Sequence, residues 1–361
     1  MRILVISLEF KAGTFSGNGV YAQSIVRALV DNCGHNVLVL SGRPAGGEPT
    51  SSDALPLIEV ELPIWGRLDR GSAWREFGNA VSLDIAKKVF DFAPDIVCGV
   101  DWTSLAPYRA LVGLWPQFTT LQAPGLANLN FRVFSMPHDG ASEEDLKFYR
   151  AAEADMASNS LGVIALSRKD AEFISSNLLS ADTPQQPVQV VLPPLRDEVL
   201  KLAEAAEAAG GSTAVRARPF ITCCVRLSPE KEPHRFAQII EELAKRGVLE
   251  KYGVAPLLCG AQTTEYAESI KQRVRAASRN AVVYEDFMPP SKLAQVYGSA
   301  RINFHPSLYD AFGMTVVEAA SFGAPTLLNM GGIGAADLLR WVPNPCSPLF
   351  CPTGALLYPI Q

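Results

Sequence analysis

Two cationic side chains, Arg226 and Lys231, stand close together in the segment Arg226-Leu-Ser-Pro-Glu-Lys231. The segment directly follows an apolar run at 220–225, which predicts a buried strand. An arginine fork and a lysine ammonium at the carboxyl end of a strand suit the oxygens of a diphosphate. On composition alone a solvated charged loop is the better explanation, so the interpretation depends on the motifs that accompany it.

Two carboxylates, Asp310 and Glu318, bracket the start of a helix predicted from about 313 to 322. One carboxylate can accept two hydroxyl hydrogen bonds, so we interpret both as binders of sugar and ribose hydroxyls rather than as an acid/base pair. A simple helix cap is the alternative for Asp310. Unpaired backbone amides of the first turn would form an anion-binding helix start at Phe312, Gly313, Met314 and Thr315.

Two glycine-rich turns also follow predicted strands. Gly17, Asn18 and Gly19 open the first helix, where glycine lets backbone amides approach a ligand closely. Their spacing is neither Gly-x-Gly-x-x-Gly nor a P-loop, so a flexible turn explains them equally well. The second turn, Gly331-Gly332-Ile-Gly334, is weak evidence alone.

An alternation of strands and helices positions these motifs. In the first half, strands are predicted at 3–8, 36–40, 95–100, 118–121, 161–166 and 188–192. In the second half, they are predicted at 220–225, 255–259, 281–284, 301–305 and 325–329. Ser142 and Ser167 have the form of helix N-caps. Such series predict doubly wound sheets, which bind ligands beyond the carboxyl ends of their strands.

We therefore predict an α/β protein of two Rossmann-like domains facing a central cleft, the first at 1–196 and the second at 220–340. A linker at 197–219 combines a helical Ala/Glu-rich stretch with glycines. The tail at 341–361 holds five prolines and two cysteines. Because proline removes backbone donors, we predict that this tail is irregular and poorly packed, which leaves the second domain incomplete.

Composition excludes several classes of protein. The chain has 361 residues, 48% hydrophobic and 19% charged, as expected of a globular protein. A net charge of −5 gives no reason to expect nucleic acid as a partner. The apolar run at the N-terminus is too short for a signal peptide or a transmembrane segment, so a cytoplasmic location is predicted. The seven cysteines are scattered, which favours reduced thiols, and no zinc spacing, His-Glu-x-x-His or Gly-x-Ser-x-Gly motif is present, so no metal site is predicted.

Taken together, the motifs resemble family 4 of the retaining GT-B glycosyltransferases. The resemblance covers most of residues 1–340, and its specific part is the block from Asp310 to Pro325. It is carried by Gly17-Asn18-Gly19, Gly34-His35, Arg226 to Lys231, Phe287-Met-Pro-Pro with Leu293, Tyr297 and Ala300, and Asp310 to Glu318 followed by Gly323 and Pro325.

The resemblance implies a hexosyltransferase-type enzyme that uses a UDP- or GDP-sugar donor and an unknown acceptor, needs no catalytic metal or other cofactor, and retains anomeric configuration by front-face attack. Arg226 and Lys231 would hold the diphosphate, Asp310 the hydroxyls of the donor sugar, and Glu318 the ribose. These implied roles make Arg226, Lys231 and Asp310 the catalytic set. In the second domain, which would bind the nucleotide-sugar, the amides from Gly313 to Thr315 would contact sugar or phosphate. Gly17 to Gly19 would close over the donor from the first domain, on the acceptor side.

The chain departs from the family pattern at three points. Asp310 stands where the family usually has Glu, and the tail at 341–361 replaces the family's last strand and helices, so a truncated or altered C-terminus is expected. The family often has a His at the end of a middle strand in the first domain, where this chain has Gln122. The alternatives are a catalytically impaired truncated or splice product that binds only donor or partner, a sugar-nucleotide epimerase, and an NAD-dependent oxidoreductase, against which the missing Gly-x-Gly-x-x-Gly counts.

Overall fold

The computed structural model divides the chain into two compact units. The first unit comprises Met1–Pro137 and Ala141–Pro194, and the second begins at Leu195. The structure describes residues 1–11, 16–50, 55–66, 73–137, 141–179, 187–208, 218–286, 288–329, 331–340 and 357–360. Phe287, the linker glycines and residues 341–356 lie outside these ranges.

The first unit is built on a parallel sheet. Its strands are β1 (Arg2–Ser7), β2 (Asn36–Pro44), β3 (Leu57–Leu62), β4 (Ile96–Val100), β5 (Leu126–Asn130), β6 (Val163–Ala165) and β7 (Val188–Val190), in the order β3-β2-β1-β4-β5-β6-β7. Its helices are α1 (Gly17–Arg27), α2 (Ala73–Asn79), α3 (Leu83–Phe92), α4 (Leu105–Leu114), α5 (Glu143–Ser158) and α6 (Arg168–Asn177). Leu4 and Ile6 of β1 are fully buried in the core, as expected of a central strand covered on both faces.

Two predicted helix starts are confirmed in this unit. The Ser142 hydroxyl accepts a hydrogen bond from the Asp145 amide at 3.1 Å, and Ser167 does the same for Asp170. Each cap satisfies one of the amides that a helix leaves without a partner at its N-terminus.

The strand predicted at 118–121 is wrong. Phe118 instead follows a short 3-10 turn and stacks on Phe90 of α3 at 5.2 Å between ring centroids, while Leu121 is exposed. The strand at this place is β5, where Leu126 and Leu129 are buried together with two asparagines. The apolar pattern missed β5 because those buried asparagines interrupt it, and it overvalued a short run that only packs an aromatic ring.

The second unit repeats the same architecture. Its strands are β8 (Phe220–Cys224), β9 (Ala255–Cys259), β10 (Val282–Tyr284), β11 (Ala300–Phe304), β12 (Thr326–Asn329) and β13 (Leu357–Ile360), in the order β10-β9-β8-β11-β12-β13. Its helices are α7 (Asp197–Ala208), α8 (Pro233–Lys245), α9 (Val248–Lys251), α10 (Glu265–Ala277), α11 (Pro290–Gly298), α12 (Met314–Ser321) and α13 (Asp337–Arg340). Helix α7 packs against α11 and α12 through the buried side chain of Val199 and its neighbours.

The end of the chain contains a strand that the sequence did not predict. Leu357–Ile360 forms β13, which pairs in parallel with β12 in a register that joins Leu357 to Thr326. The prediction of an irregular tail is therefore wrong for these four residues. The reason is that the outer strand of a sheet needs no donor on its free side, so an apolar stretch can pair there even though it contains Pro359.

Within the described ranges, no helix combines the length and apolar character needed to cross a bilayer. The five cysteines in the same ranges are free thiols, and Cys346 and Cys351 lie outside them.

Candidate functional site

The predicted diphosphate loop leaves the carboxyl end of β8. The Leu227 amide donates to Gln262 Oε1 at 2.8 Å, which anchors the start of the loop. The Arg226 side chain is 43% exposed and its Nη1 atom lies 3.8 Å from Glu230 Oε1. Arg226 is therefore held on the surface by a weak contact, and its guanidinium remains accessible to an anion.

Glu232 follows the diphosphate loop and links it by hydrogen bonds to the loop that contains Ser307 and Leu308. Glu232 has a left-handed backbone (φ 49°), which is uncommon for a residue other than glycine. Its buried carboxylate accepts hydrogen bonds from Arg235 Nε at 2.9 Å and from the Leu308 amide. The Ser307 hydroxyl donates to the Lys231 carbonyl oxygen at 3.2 Å. These bonds hold Lys231 beside the loop that leads to Asp310.

Lys231 and Asp310 meet directly. Lys231 Nζ lies 2.6 Å from Asp310 Oδ2, and His305 Nε2 lies 3.4 Å from the same oxygen. Burial raises the pKa of the Asp310 carboxyl, but Lys231 and His305 more than offset this, and the pKa lies well below its usual value. Asp310 is therefore a permanently ionised acceptor, which suits hydroxyl binding and excludes a role as a proton donor near neutral pH.

His305 was not among the predicted site residues. It ends β11, is buried, and its Nδ1 atom lies 3.3 Å from the Thr315 hydroxyl in the first turn of α12. His305 thus links the Lys231–Asp310 pair to the start of that helix. Its position at the end of a predicted strand, before Pro306, is a local signal, but its partners lie elsewhere in the chain.

The two glycine positions near α12 have strict steric reasons. Gly313 precedes the helix with φ 83°, which only glycine adopts readily. A Cβ atom on Gly332 would lie 1.5 Å from the Leu308 carbonyl oxygen. Through this close approach the Asp310 amide donates to the Gly332 carbonyl oxygen, and the Gly334 amide donates to the Asp310 carbonyl oxygen, both at 3.0 Å. The backbone of Asp310 is therefore fixed on both sides.

The predicted anion-binding amides lie at the start of α12. Phe312 and Gly313 are buried, and Met314 and Thr315 are partly exposed. In the first turn, the Val316 amide donates to the Gly313 carbonyl oxygen at 2.8 Å. The positive end of the helix dipole therefore lies next to Lys231 and Asp310.

Glu318 lies on α12 and is 3% exposed, as its apolar neighbours suggested. Arg196, which precedes α7, places Nε and Nη2 each 2.7 Å from Glu318 Oε1. Burial raises the pKa of Glu318, while the charge and hydrogen bonds of Arg196 act in the opposite direction. No local pattern identified Arg196, because its partner stands more than a hundred positions later in the chain.

The predicted glycine turn of the first unit lies at the start of α1. Gly17, Asn18 and Gly19 form the first turn of α1, and the Ser16 hydroxyl caps the helix by accepting from the Asn18 amide at 3.1 Å. The fully buried carboxylate of Glu9 accepts from the Ser16 amide at 2.8 Å and from the Ser16 hydroxyl at 2.5 Å. Residues 12–15 of the same loop lie outside the described ranges.

A second polar group in the first unit lies at the carboxyl ends of β4 and β5. Asp101 has φ 55° and ψ 177°, a backbone region that is populated almost only by glycine. Its Oδ1 atom accepts from the Phe131 amide at 2.6 Å. The Asn18 side chain also acts on this carboxyl and lowers its pKa, although the buried Oδ2 atom has no partner of regular hydrogen-bond geometry among the described residues. The same holds for Asn130 Oδ1 and for the Trp102 indole nitrogen.

Sequence reasoning missed Asn130 because of the misplaced strand. The residue at the end of the strand is Asn130, not Gln122. The same reasoning missed Asp101, which directly follows a strand that was predicted, because a strained backbone and a buried carboxylate leave no local pattern. Strained backbone and buried polar atoms without partners are typical of functional sites. Burial raises the pKa of Asp101 to about 8, with the Phe131 amide acting in the opposite direction and Glu153 adding to the increase.

The structure therefore brings Lys231, Asp310 and His305 together, with Glu318 on the adjoining helix. Arg226 stands on the same loop as Lys231 but contacts Glu230. Within the described residues, no group of three or more His, Cys, Asp or Glu side chains has an arrangement that could hold a metal ion.

Two family models match the chain. The model described as glycosyl transferase 4-like domain matches residues 16–193, and the model described as glycosyl transferases group 1 matches residues 211–340. No curated protein matches the sequence significantly.

Solved structures share the fold of the whole chain. Sucrose-phosphate synthase from Thermosynechococcus elongatus is 17% identical with a TM-score of 0.70, covering 100% of this chain and 86% of its own. The catalytic domain of starch synthase IV from Arabidopsis thaliana, bound to ADP and acarbose, is 14% identical with a TM-score of 0.63, covering 96% and 86%. An alpha,alpha-trehalose-phosphate synthase (UDP-forming) from Burkholderia xenovorans, in complex with glucose-6-phosphate, is 12% identical with a TM-score of 0.66, covering 99% and 89%. At these identities the likeness is one of fold, and the fold is GT-B.

Proposed function

We propose, from the premise that this chain belongs to the group 1 glycosyl transferases of the GT-B fold, that it transfers a hexose from a UDP- or GDP-sugar to an acceptor hydroxyl with retention of anomeric configuration. The observation that carries the proposal is the cluster of Lys231, Asp310 and His305 at the start of α12. It places a cation, an ionised acceptor and a helix N-terminus side by side.

The cations would act on the leaving group. When the bond between the sugar C1 atom and the diphosphate oxygen breaks, negative charge develops on the diphosphate. Arg226 and Lys231 would stabilise that charge, together with the amides from Phe312 to Thr315. An ammonium has three donors, so Lys231 can bind phosphate oxygens and keep its contact with Asp310.

Asp310 would hold the donor sugar. Because Lys231 and His305 keep it ionised, it can accept hydrogen bonds from sugar hydroxyls throughout the reaction. Its shorter side chain, compared with Glu, would place the sugar closer to the β11–α12 backbone. Glu318, which lies on α12, would accept a hydrogen bond from the ribose.

The polar atoms around Asp101 would contribute to acceptor binding in the first unit. Asp101 Oδ2, Asn130 Oδ1 and the Trp102 indole nitrogen have no partner of regular hydrogen-bond geometry among the described residues. Because Asp101 keeps its proton below about pH 8, it offers a donor near neutral pH, as the indole does, and Asn130 offers an acceptor. A polyhydroxylated acceptor supplies groups of the matching kinds. The Gly17–Gly19 turn stays a proposed donor contact.

The test is calorimetric binding of UDP, GDP and their glucose and mannose esters. Lys231→Met should weaken binding by about 10-fold to 100-fold, since a charge-assisted hydrogen bond contributes about 1.5–3 kcal/mol. Lys251→Met, on α9 beside Tyr252, removes a lysine of the same unit and should leave affinity unchanged. Equal binding by wild type and Lys231→Met would contradict the site assignment.

Turnover tests the reaction itself. Incubation with candidate hydroxyl acceptors should release the nucleoside diphosphate and give a glycoside whose anomeric configuration, measured by NMR, equals that of the donor. An inverted product would refute retention. Isomerised nucleotide sugar without transfer would favour an epimerase.

A further inference from the structure

Arg196 contacts the ribose-binding candidate in an asymmetric way. Both Nε and Nη2 of its guanidinium lie 2.7 Å from the same oxygen of Glu318, Oε1. A guanidinium usually bonds to a carboxylate through both oxygens, one donor to each. In the part of the chain that the structure describes, no group donates a hydrogen bond to the other oxygen, Oε2.

This asymmetry changes what Glu318 can bind. The sequence suggested that one carboxylate would accept both hydroxyls of the ribose, one on each oxygen. With Oε1 already accepting two donors, the second oxygen is left to accept from the ligand. The Arg196 side chain is 20% exposed and Glu318 only 3%, so solvent competes weakly for the pair.

We propose that Arg196 is a positioning residue of the donor site, which orients Glu318 so that Oε2 alone accepts one ribose hydroxyl of a nucleoside diphosphate. The inference rests on the proposed function. It assigns a role to a residue that lies before α7 and touches α12 from a separate part of the unit.

The charge of Arg196 has a second consequence. Besides Arg196, the titratable group that faces Glu318 is Tyr297 on α11, beside Cys224 and Cys259. Burial raises the pKa of Tyr297 well above its usual value, so Tyr297 supplies no charge near neutral pH. Arg196 is therefore the cation that opposes the effect of burial on Glu318. Without it, Glu318 should take up a proton at a higher pH and become a weaker acceptor.

The experiment compares UDP or GDP, whichever binds more tightly, with its 2′-deoxy and 3′-deoxy forms by calorimetry on the full chain. Wild type should lose about tenfold in affinity for one deoxy form and less than about twofold for the other, because one hydroxyl meets Oε2. In Arg196→Met, both deoxy forms should bind more weakly than the parent nucleotide. The ratio of Kd values between Arg196→Met and wild type should also exceed one and rise as pH falls, because a protonated Glu318 is the weaker acceptor.

Two further variants separate charge from geometry. Arg196→Lys keeps the charge without the fork, so its Kd ratio should stay constant with pH while its selectivity between the deoxy forms disappears. Glu318→Gln should weaken the parent nucleotide independently of pH. Arg273→Met is the control for loss of an arginine–glutamate pair, because Arg273 bonds to Glu241 between α10 and α8 in the usual symmetric way, with one donor to each oxygen at 2.7 Å. Circular dichroism establishes folding, and if Arg196→Met does not fold, the other two variants decide.

Three results would overturn the inference. Equal loss for both deoxy forms in wild type shows that Glu318 binds two hydroxyls. A Kd ratio of Arg196→Met to wild type that stays at one across the pH range shows that Arg196 has no part in binding, and Lys231→Met then still tests the proposed function independently. Failure of wild type to bind either nucleotide overturns the proposed function and this inference together.

Discussion

The buried carboxyl of Asp101 predicts an unusual dependence of stability on pH. Burial raises its pKa from an ordinary value of 3.8 to about 8 in the folded chain. Between these two values the folded state keeps a proton that the unfolded state releases. Because the folded state binds more protons, the free energy of unfolding must fall as pH rises through this window.

The size of the effect follows from the two pKa values. Each pH unit in the window removes about 1.4 kcal/mol, so the loss between about pH 4 and pH 8 approaches roughly 5 to 6 kcal/mol. Glu153, whose pKa burial raises to about 7, adds to the slope over the lower part of the window. Wild type should therefore lose stability with a slope of up to two protons.

The substitution Asp101→Asn removes the proton that Asp101 contributes to the pH dependence and leaves that of Glu153. The amide keeps an oxygen to accept from the Phe131 amide at nearly the same position, but it cannot ionise. The variant should be more stable than wild type at pH 8, about equal near pH 4, and have a slope smaller by about one proton. Asp155→Asn on α5, an exposed carboxylate paired with Arg109, is the control and should keep the wild-type slope.

The assay is urea unfolding at several pH values and constant ionic strength, followed by tryptophan fluorescence. The signal reports mainly on the first unit, which holds four of the five tryptophans, namely Trp65, Trp74, Trp102 and Trp115. Equal slopes in wild type and Asp101→Asn would refute the reasoning, since they would mean that Asp101 ionises alike in both states.

Two further predictions concern the loops. Gly332→Ala should lower the free energy of unfolding by at least about 3 kcal/mol, because the new Cβ atom would overlap the Leu308 carbonyl. Gly298→Ala in α11, where a Cβ atom would meet nothing within 4 Å, should change it by less than about 1 kcal/mol. Equal thermal midpoints for the two variants would contradict the close contact at Gly332. A double-mutant cycle of Glu9→Gln and Ser16→Ala should give a coupling energy of at least about 1 kcal/mol in urea unfolding, because Ser16→Ala removes the hydroxyl that donates to the Glu9 carboxylate at 2.5 Å. Additive effects would show that this bond is energetically unimportant.

The sequence predicted most strands because a buried parallel strand is a continuous apolar run. It missed β3, where Glu59 and Glu61 interrupt the apolar run, and β5, where Asn128 and Asn130 are buried inside the strand. Buried polar residues are satisfied or used by long-range partners, which a local pattern does not contain. The misplaced strand in turn hid Asn130, which belongs to the polar group around Asp101.

The candidate donor site was predicted in part. Lys231 and Asp310 do meet, as their places after two strands suggested, because carboxyl ends of neighbouring parallel strands share one edge. His305 and Arg196 were missed because their roles depend on contacts between distant segments. The ligand-binding roles of all these residues stay predictions until binding is measured.

The strand order of the second unit has a consequence for synthesis of the chain. The central strand β8 pairs on one side with β9 but on the other with β11. The ribosome makes β11 roughly 80 residues after β8, so at about 5–20 residues per second one edge of β8 waits roughly 4–16 s for its neighbour. During that interval the unpaired backbone groups along this edge of β8 can pair with other nascent chains. Slower translation between β8 and β11 should therefore reduce the soluble yield, and a chaperone that covers extended apolar segments should restore it.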